Sequence, residues 1–277
     1  MITKYSFDSK NPGKKILILG SIHGDEHCGS WGIEALKNAL VKGEITLQSG
    51  SITCMPYANF EAYHADKRQI ETNLNRVFAT NGNSKEEKIA EYIKKEIEAH
   101  DFVLDLHSFS IGKDPFVFHD MPGNSLVDTV IKNLPIDYAM TGWIDLYTDS
   151  VEMDTIGYAK NAGKDGLIIE CGENKNPFSY PNAYKYILSV LNTLKIIDFV
   201  DFPSEKQKWI NVDTIIRKKE GGEFVKQWEN FDLVKKDEIV AYDGEKNPVF
   251  APYDGFMIMP HKEVEVGGEW MYFGKLV

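Results

Sequence analysis

Apolar runs alternate with amphipathic stretches over roughly the first two thirds of the chain. The run KKILILG (14–20) is followed by a helical pattern that ends near Gly43. Further apolar runs are SITCMPYAN (51–59), FVLDLH (102–107) and GLIIE (166–170). Strands that alternate with helices are typical of crossover connections, so this order predicts an α/β fold with a largely parallel sheet flanked by helices.

Two helices carry clear signals of their own. Ser84 is followed three residues later by Glu87, which is the pattern of a capping box, and an apolar stripe at helical spacing comes after it. The stretch 179–197 also repeats apolar residues at helical spacing, so it predicts a long helix that closes this part of the chain.

After about residue 203 the pattern changes to short β-rich segments cut by Gly, Pro and Asp, without a convincing helix. We therefore predict an α/β domain over 1–203 and a small all-β domain over 204–277. The segment APYDGFMIMP (251–260) is similar to the hairpins of lipoyl-type β-sandwiches. Because no lysine stands in the context that would carry a lipoyl group, we take that likeness as architecture only.

The charge and the cysteines narrow the classes of protein. The 277 residues carry a net charge of −11, which argues against nucleic acid and anionic membrane as partners. Three widely spaced cysteines do not look like a disulfide framework, and no apolar run approaches a membrane span. The first residues show no apolar segment of a signal peptide, so we expect a cytoplasmic location. No oligomeric state is indicated.

The motif HGDE follows the first apolar run and contains His23 and Glu26. Ligands of open α/β sheets bind at the carboxyl ends of the strands, which is where this motif lies. A histidine and a glutamate three residues apart can reach one metal ion. Taken alone, this motif is explained equally well as a solvent-exposed loop that binds no metal.

A second histidine strengthens the metal hypothesis. His107 ends the run FVLDLH, and Asp105 lies on the same face of that strand, where it could orient a metal ligand. His23, Glu26 and His107 make a His₂Glu set, and three protein ligands plus water are typical of a catalytic zinc site. The alternative for His107 is a hydrogen-bonded histidine at a strand end.

Glu170 ends the run GLIIE, and a carboxylate at the tip of a buried strand is costly unless it is paired. Zinc lowers the pKa of a coordinated water to about 7, and a nearby carboxylate can take the proton. Glu170 is therefore the candidate general base. Glu173 is its rival, although it follows Gly172 and is expected to face solvent.

The stretch KRQIETNLNRVF (67–78) holds two of the three arginines in the chain. Asn75 and Arg76 are suited to binding a carboxylate, since a guanidinium can donate two parallel hydrogen bonds to its oxygens. Arg68 could face a carbonyl oxygen that becomes negative during an acyl-transfer reaction. A polar loop with surface arginines is the alternative explanation.

Four ordered motifs, HGDE, RQIETNLNRVF, LDLHS and IIECGE, resemble the succinylglutamate desuccinylase/aspartoacylase family, which belongs with the zinc carboxypeptidases. Asn59, Arg68 and the block NLNRVF (73–78) keep the spacing of aspartoacylase without a gap. One departure is Asn73, which stands where that family has an aspartate.

The resemblance implies a zinc-carboxypeptidase-like fold with one zinc ion per chain on His23, Glu26 and His107. It also implies that Glu170 acts as the general base and that Arg68 polarises the substrate carbonyl. The C-terminal β-domain would narrow the active site, excluding long peptides and admitting N-acyl amino acids.

The resemblance is weaker for the residues that contact the substrate. It implies that Asn75 and Arg76 clamp a substrate carboxylate. Lys160 stands where aspartoacylase has a substrate-binding arginine. The lysine keeps the positive charge but cannot form the bidentate hydrogen bonds of a guanidinium. Ile156 replaces a tyrosine that the family would have at that position. Tyr272 is the candidate for a tyrosine that contacts substrate from the second domain.

These observations favour a zinc-dependent hydrolase that cleaves the amide bond of a small, anionic N-acyl amino acid. The alternative with the same chemistry is a zinc carboxypeptidase acting on short peptides, and the discriminator is whether the C-terminal region obstructs the groove. A binding module with a degenerate site is a third possibility. It would lack a ligand or the base, and neither is missing.

Overall fold

A computed structural model describes residues 2–112, 114–119, 125–147, 152–198 and 207–277. The strands are β1 (Tyr5–Asp8), β2 (Lys15–Gly20), β3 (Ser51–Met55), β4 (Phe102–Phe109), β5 (Phe116–Phe118), β6 (Tyr138–Thr141), β7 (Asp165–Glu173), β8 (Lys208–Arg217), β9 (Glu223–Phe224), β10 (Leu233–Val234), β11 (Ile239–Tyr242), β12 (Pro248–Phe250), β13 (Gly255–Ile258) and β14 (Glu269–Leu276). The helices are α1 (Cys28–Lys42), α2 (Phe60–Ala65), α3 (Lys85–Ala99), α4 (Ser125–Lys132), α5 (Thr155–Asn161) and α6 (Ser179–Thr193), with 3₁₀ helices at Leu74–Arg76 and Ile144–Tyr147. None of these helices is long and apolar enough to cross a membrane.

The middle of the large sheet consists of β3, β2, β4 and β7, which are neighbours in that order and run parallel. Alternate residues of β2 enter two different apolar clusters. Ile16 and Ile18 pack with α1 and α6, whereas Leu17 and Leu19 pack with α3. A strand covered on both faces needs a continuous apolar run, which explains the sequence KILILG. The predicted α/β fold with parallel central strands is confirmed.

Helix ends follow the local signals of the sequence. Gly43 terminates α1 in the left-handed conformation, with φ +71°. Ser84 and Glu87 form the predicted capping box of α3. The helix predicted over 179–197 is too long by four residues. It ends at Thr193, because Lys195 takes φ +62° and Ile197 forms a bridge with Leu47.

The strand predicted over 51–59 is also shorter than expected. It ends at Met55, and a turn leads to Asn59, whose side chain accepts the Ala62 N–H and caps α2. The difference has a local cause. Asn59 satisfies a free amide at the helix start, so it favours beginning the helix over extending the strand.

All the elements described within residues 207–277 are strands. β8 pairs in parallel with β6, so the large sheet continues through β8, β14, β13 and β10, while β12, β11 and β9 form a second sheet. The predicted boundary at 203/204 lies outside the described residues. That residues 204–277 form a separate domain therefore stays a prediction.

Candidate functional site

The candidate ligands lie where adjacent parallel strands end. His23 and Glu26 lie in the turn between β2 and α1, and His107 lies near the end of the neighbouring β4. The turn passes very close to α2, since a Cβ on Gly24 would come within 2.1 Å of the Ala62 backbone. Glycine is therefore required at this position, and the close approach fixes the course of the turn.

Glu26 lies between the two histidines. Its Oε1 is 2.8 Å from Nδ1 of His23, and its Oε2 is 2.9 Å from Nδ1 of His107. All three side chains are buried, and each offers a ligand atom within 4.8 Å of the others. In the described part of the chain this is the one group of three or more His, Cys, Asp or Glu side chains that could hold a metal ion.

The surroundings of His23 leave one ring nitrogen for a metal ion. Nε2 donates over 3.0 Å to Asn73 Oδ1, which also accepts the Asn75 N–H. Burial and the charge of Arg68 lower the pKa of His23 to about 4, so the ring carries a single proton. Nδ1 then presents a lone pair to Glu26 Oε1. An imidazole lone pair and a carboxylate oxygen that face each other are atoms that one metal ion can bind, so the group fits a metal ion.

Asp105 lies behind His107. Asp105 Oδ2 lies 3.0 Å from Nε2 of His107 and accepts a hydrogen bond from Thr155 Oγ1 over 2.6 Å. Burial opposes a charge on His107, but Asp105 and Glu26 together raise its pKa well above the usual range. A carboxylate behind a ligating histidine fixes the orientation of the ring. The equivalent role of Asn73 behind His23 was not predicted, and its place in the NLNR block was the only signal for it.

Glu170 stands beside the candidate metal-binding group of His23, Glu26 and His107. It pairs in register with His107 across β4 and β7, and its buried Oε2 has no hydrogen-bond partner. Burial and then the charge of Glu26 raise the pKa of Glu170 to about 8. Ser108 Oγ and Asn174 Oδ1 line the same cavity and are likewise buried without a partner. Unsatisfied buried polar atoms are costly, and their concentration here marks a site built to bind a ligand.

Arg68 reaches the candidate metal-binding group from one side. Its Nη1 lies 3.1 Å from Glu26 Oε1, and its carbonyl oxygen accepts the Gly24 N–H over 3.2 Å. The side chain is still 42% exposed. Because Arg68 also lines the cavity, the exposed part of its side chain can contact a molecule that binds there.

Arg76 is engaged by carboxylates of the protein itself. Its Nη2 donates to Glu269 Oε1 over 3.2 Å, and its Nε lies 3.5 Å from Glu152 Oε2. Asn75 is buried, and its Oδ1 accepts the Thr155 N–H. A substrate carboxylate would therefore have to share or replace existing partners of Arg76, which the sequence did not indicate.

Lys160 and Tyr272 line the same cavity as the candidate metal-binding group. The cavity has a volume of about 950 Å³ and draws residues from both the α/β region and β14. Tyr272 is almost fully buried, and its ring centroid lies 4.7 Å from that of Trp143. The structure thus brings all nine candidate residues of the sequence analysis to one cavity: His23, Glu26, Arg68, Asn75, Arg76, His107, Lys160, Glu170 and Tyr272.

The fold and the site together define a class of protein, an α/β protein with a buried His–Glu–His group at the ends of its parallel strands. The family model of the succinylglutamate desuccinylase/aspartoacylase catalytic domain matches residues 12–197 of the chain. The chain belongs to this family. Among curated proteins, no sequence matches the chain.

Solved structures share the fold over the whole chain. The product-bound ectoine utilization protein EutE (DoeB) from Ruegeria pomeroyi is 20% identical, with a TM-score of 0.81 over 99% of this chain and 89% of that one. A succinylglutamate desuccinylase from Silicibacter sp. TM1040 is 21% identical, with a TM-score of 0.78 over 100% and 89%. A succinylglutamate desuccinylase/aspartoacylase from Rhodobacter sphaeroides is 17% identical, with a TM-score of 0.80 over 100% and 90%.

Proposed function

We propose that the protein is a zinc-dependent hydrolase that cleaves the amide bond of a small N-acyl amino acid. The observation that carries the proposal is the position of Glu170. It is a buried carboxylate without a hydrogen-bond partner on Oε2, and it stands next to three converging ligand atoms in one cavity. Membership in a family of deacylases supports the same reaction.

Zinc is the metal that the donor set suits best, since two imidazoles and one carboxylate are a frequent catalytic zinc set. We propose one zinc ion per chain, held by His23, Glu26 and His107. Zinc bound there would acidify a water ligand and polarise a carbonyl oxygen. Asp105 and Asn73 would hold the two rings with their Nδ1 atoms turned towards the ion.

The remaining roles belong to side chains of the cavity. Glu170 takes a proton from the attacking water and returns it to the nitrogen of the leaving amine. Arg68 stabilises the negative charge that develops on the carbonyl oxygen. Asn75 and Arg76 bind a carboxylate of the substrate, and Lys160 and Tyr272 complete its binding site. Each of these residues lines the cavity, which supports the assignment.

We further propose that residues 204–277 narrow the access to a zinc-carboxypeptidase-like catalytic domain. His261, Glu269 and Tyr272 support this proposal, because they line the same cavity as the metal-binding group. A cavity that is narrowed by the C-terminal region favours a small substrate over a long peptide. We also propose a cytoplasmic location, and the three cysteines, which are all buried and free, support it.

A substrate panel tests the proposed function. It contains N-acetyl, N-succinyl and N-formyl amino acids, their carboxamide analogues, and tri- and tetrapeptides. We expect zinc-dependent release of the free amino acid from some of the N-acyl amino acids and slow cleavage of the peptides. Efficient removal of C-terminal residues from tetrapeptides would favour the carboxypeptidase, and the absence of any amide hydrolysis would refute both.

A further inference from the structure

Glu86 is a fully buried carboxylate that the proposed reaction does not use. It lies in the first turn of α3 and faces the backbone of the segment 70–72. Its Oε1 accepts the Ile70 N–H over 2.8 Å, and its Oε2 accepts the Thr72 N–H over 3.2 Å. The Glu71 N–H is shared between both oxygens at 3.4 and 3.2 Å. Three consecutive amides therefore converge on one carboxylate.

Capping of α3 does not explain this burial. The Ser84 hydroxyl and the Glu87 carboxylate already form a complete capping box at the start of the helix. Glu86 instead receives a further hydrogen bond from Asn59 Nδ2 at 3.3 Å, so its polar partners come from outside its own helix. Hydrogen bonds to an ionised carboxylate are roughly twice as strong as neutral ones. Glu86 is thus a strong anchor for the segment that it faces.

The anchored segment has a site residue at each end. Arg68 precedes it by two positions and contacts Glu26 through its guanidinium. Asn73 follows it directly and accepts the Nε2 proton of His23. A shift of this backbone would therefore move both contacts at once. Loop residues at such sites depend on supporting hydrogen bonds for their geometry.

We propose that Glu86 is a positioning residue that holds Arg68 and Asn73 against the metal-binding group. It acts through the backbone of residues 70–72 and lies outside the set of residues that line the cavity. The part of the inference that concerns Arg68 in turnover rests on the proposed function. The part that concerns the segment 70–72 and zinc affinity does not need a substrate.

The test variant is Glu86→Gln, which is nearly isosteric and replaces one acceptor oxygen by a donor. We expect faster amide hydrogen exchange at residues 70–72, and a loss of zinc affinity and of kcat of about 10- to 100-fold. We also expect Arg68→Ala to cost much less in the Glu86→Gln background than in the wild type, because Arg68 is already misplaced there.

Asp243→Asn is the matched control. Asp243 is also a buried carboxylate that accepts backbone N–H groups, those of Glu245 and Asn247, and it is not among the residues that line the cavity. It should lower thermal stability while leaving zinc affinity, kcat and the cost of Arg68→Ala unchanged. If Glu86→Gln does not fold, Glu86→Asp is the second variant. It keeps the negative charge but has a shorter side chain, so the same changes in hydrogen exchange, zinc affinity and kcat should appear with smaller magnitude.

Unchanged exchange at residues 70–72 and unchanged zinc affinity in a folded Glu86 variant would overturn the inference. An equal loss of Arg68 dependence in Asp243→Asn would also overturn it, because the effect would then be one of general stability. If the wild type hydrolyses no amide, the proposed function fails, while hydrogen exchange and zinc titration still decide the role of Glu86.

Discussion

Arg76 and Glu269 are 193 positions apart in the chain and form a hydrogen-bonded ion pair, with Nη2 at 3.2 Å from Oε1. The pair joins the 3₁₀ helix at Leu74–Arg76 to the first residue of β14. The pair therefore links Arg76, which we propose binds the substrate carboxylate, with a residue of the C-terminal region that lines the cavity. A bound anion would compete with Glu269 for the same guanidinium.

The first prediction concerns this competition. In Glu269→Gln the guanidinium of Arg76 loses one of its carboxylate partners and keeps Glu152, so N-acyl amino acids with a free carboxylate should bind better. A partly exposed ion pair contributes at most about 1 kcal/mol, so KM should fall by up to about fivefold. Glu265→Gln is the control, since Glu265 lines the same cavity and carries the same charge. An equal decrease of KM in both variants would show that only the net charge of the cavity matters.

Arg76→Ala should remove the preference of the protein for acids over carboxamides. A hydrogen bond to a charged group contributes about 1.5–3 kcal/mol, so kcat/KM for the acid should fall by about 10- to 100-fold, while that for the amide changes little. Initial rates on matched acid and amide pairs measure this. Arg217→Ala serves as the control, because Arg217 lines the cavity but donates to the Gly267 carbonyl oxygen. Parallel losses on acid and amide would contradict the clamp.

The convergence of the candidate metal ligands and Glu170 was predictable because it depends on where the strands end. Buried parallel strands have continuous apolar sequences, and each of the motifs with His23, His107 and Glu170 directly follows or ends such a run. Adjacent parallel strands end at the same edge of the sheet, and the register that pairs His107 with Glu170 brings these two residues together. The start of α3 was equally predictable, since its capping box depends on Ser84 and Glu87, which are three positions apart.

The partners of Arg76 and the role of Glu86 were not predictable from the sequence. Glu152 and Glu269 are charged residues at partly exposed positions, and no periodicity distinguishes them from other surface acids. Glu86 is one of two adjacent glutamates, and only the path of the segment 70–72 shows which of them is buried. Continuation of the sheet from β6 into β8 likewise depends on long-range pairing.

The proposed metal site is tested by removing one of its proposed ligands. We expect about one zinc ion per chain in protein purified without added metal, and His107→Ala should lose both the zinc and the activity. Elemental analysis of both proteins gives the result directly. His119→Ala is the matched control, because His119 lines the same cavity but pairs with Asp128. A fully active His107→Ala protein with its metal retained would rule out the site.

The last prediction separates proton transfer from metal binding. Glu170→Gln keeps the size of the side chain but cannot accept a proton, so it should retain zinc and lose about 10²- to 10⁴-fold in kcat. The control is Glu173→Gln on the same strand, three positions further on, where the side chain is only half-buried. Zinc content and kcat of both variants should be measured on the same substrate. The result that supports the assignment is a large loss in Glu170→Gln with normal zinc, together with a nearly normal rate in Glu173→Gln. If Glu173→Gln carries the loss, the general base is Glu173. If Glu170→Gln loses its zinc, the carboxylate is needed for the metal site, and its role as a base has to be withdrawn.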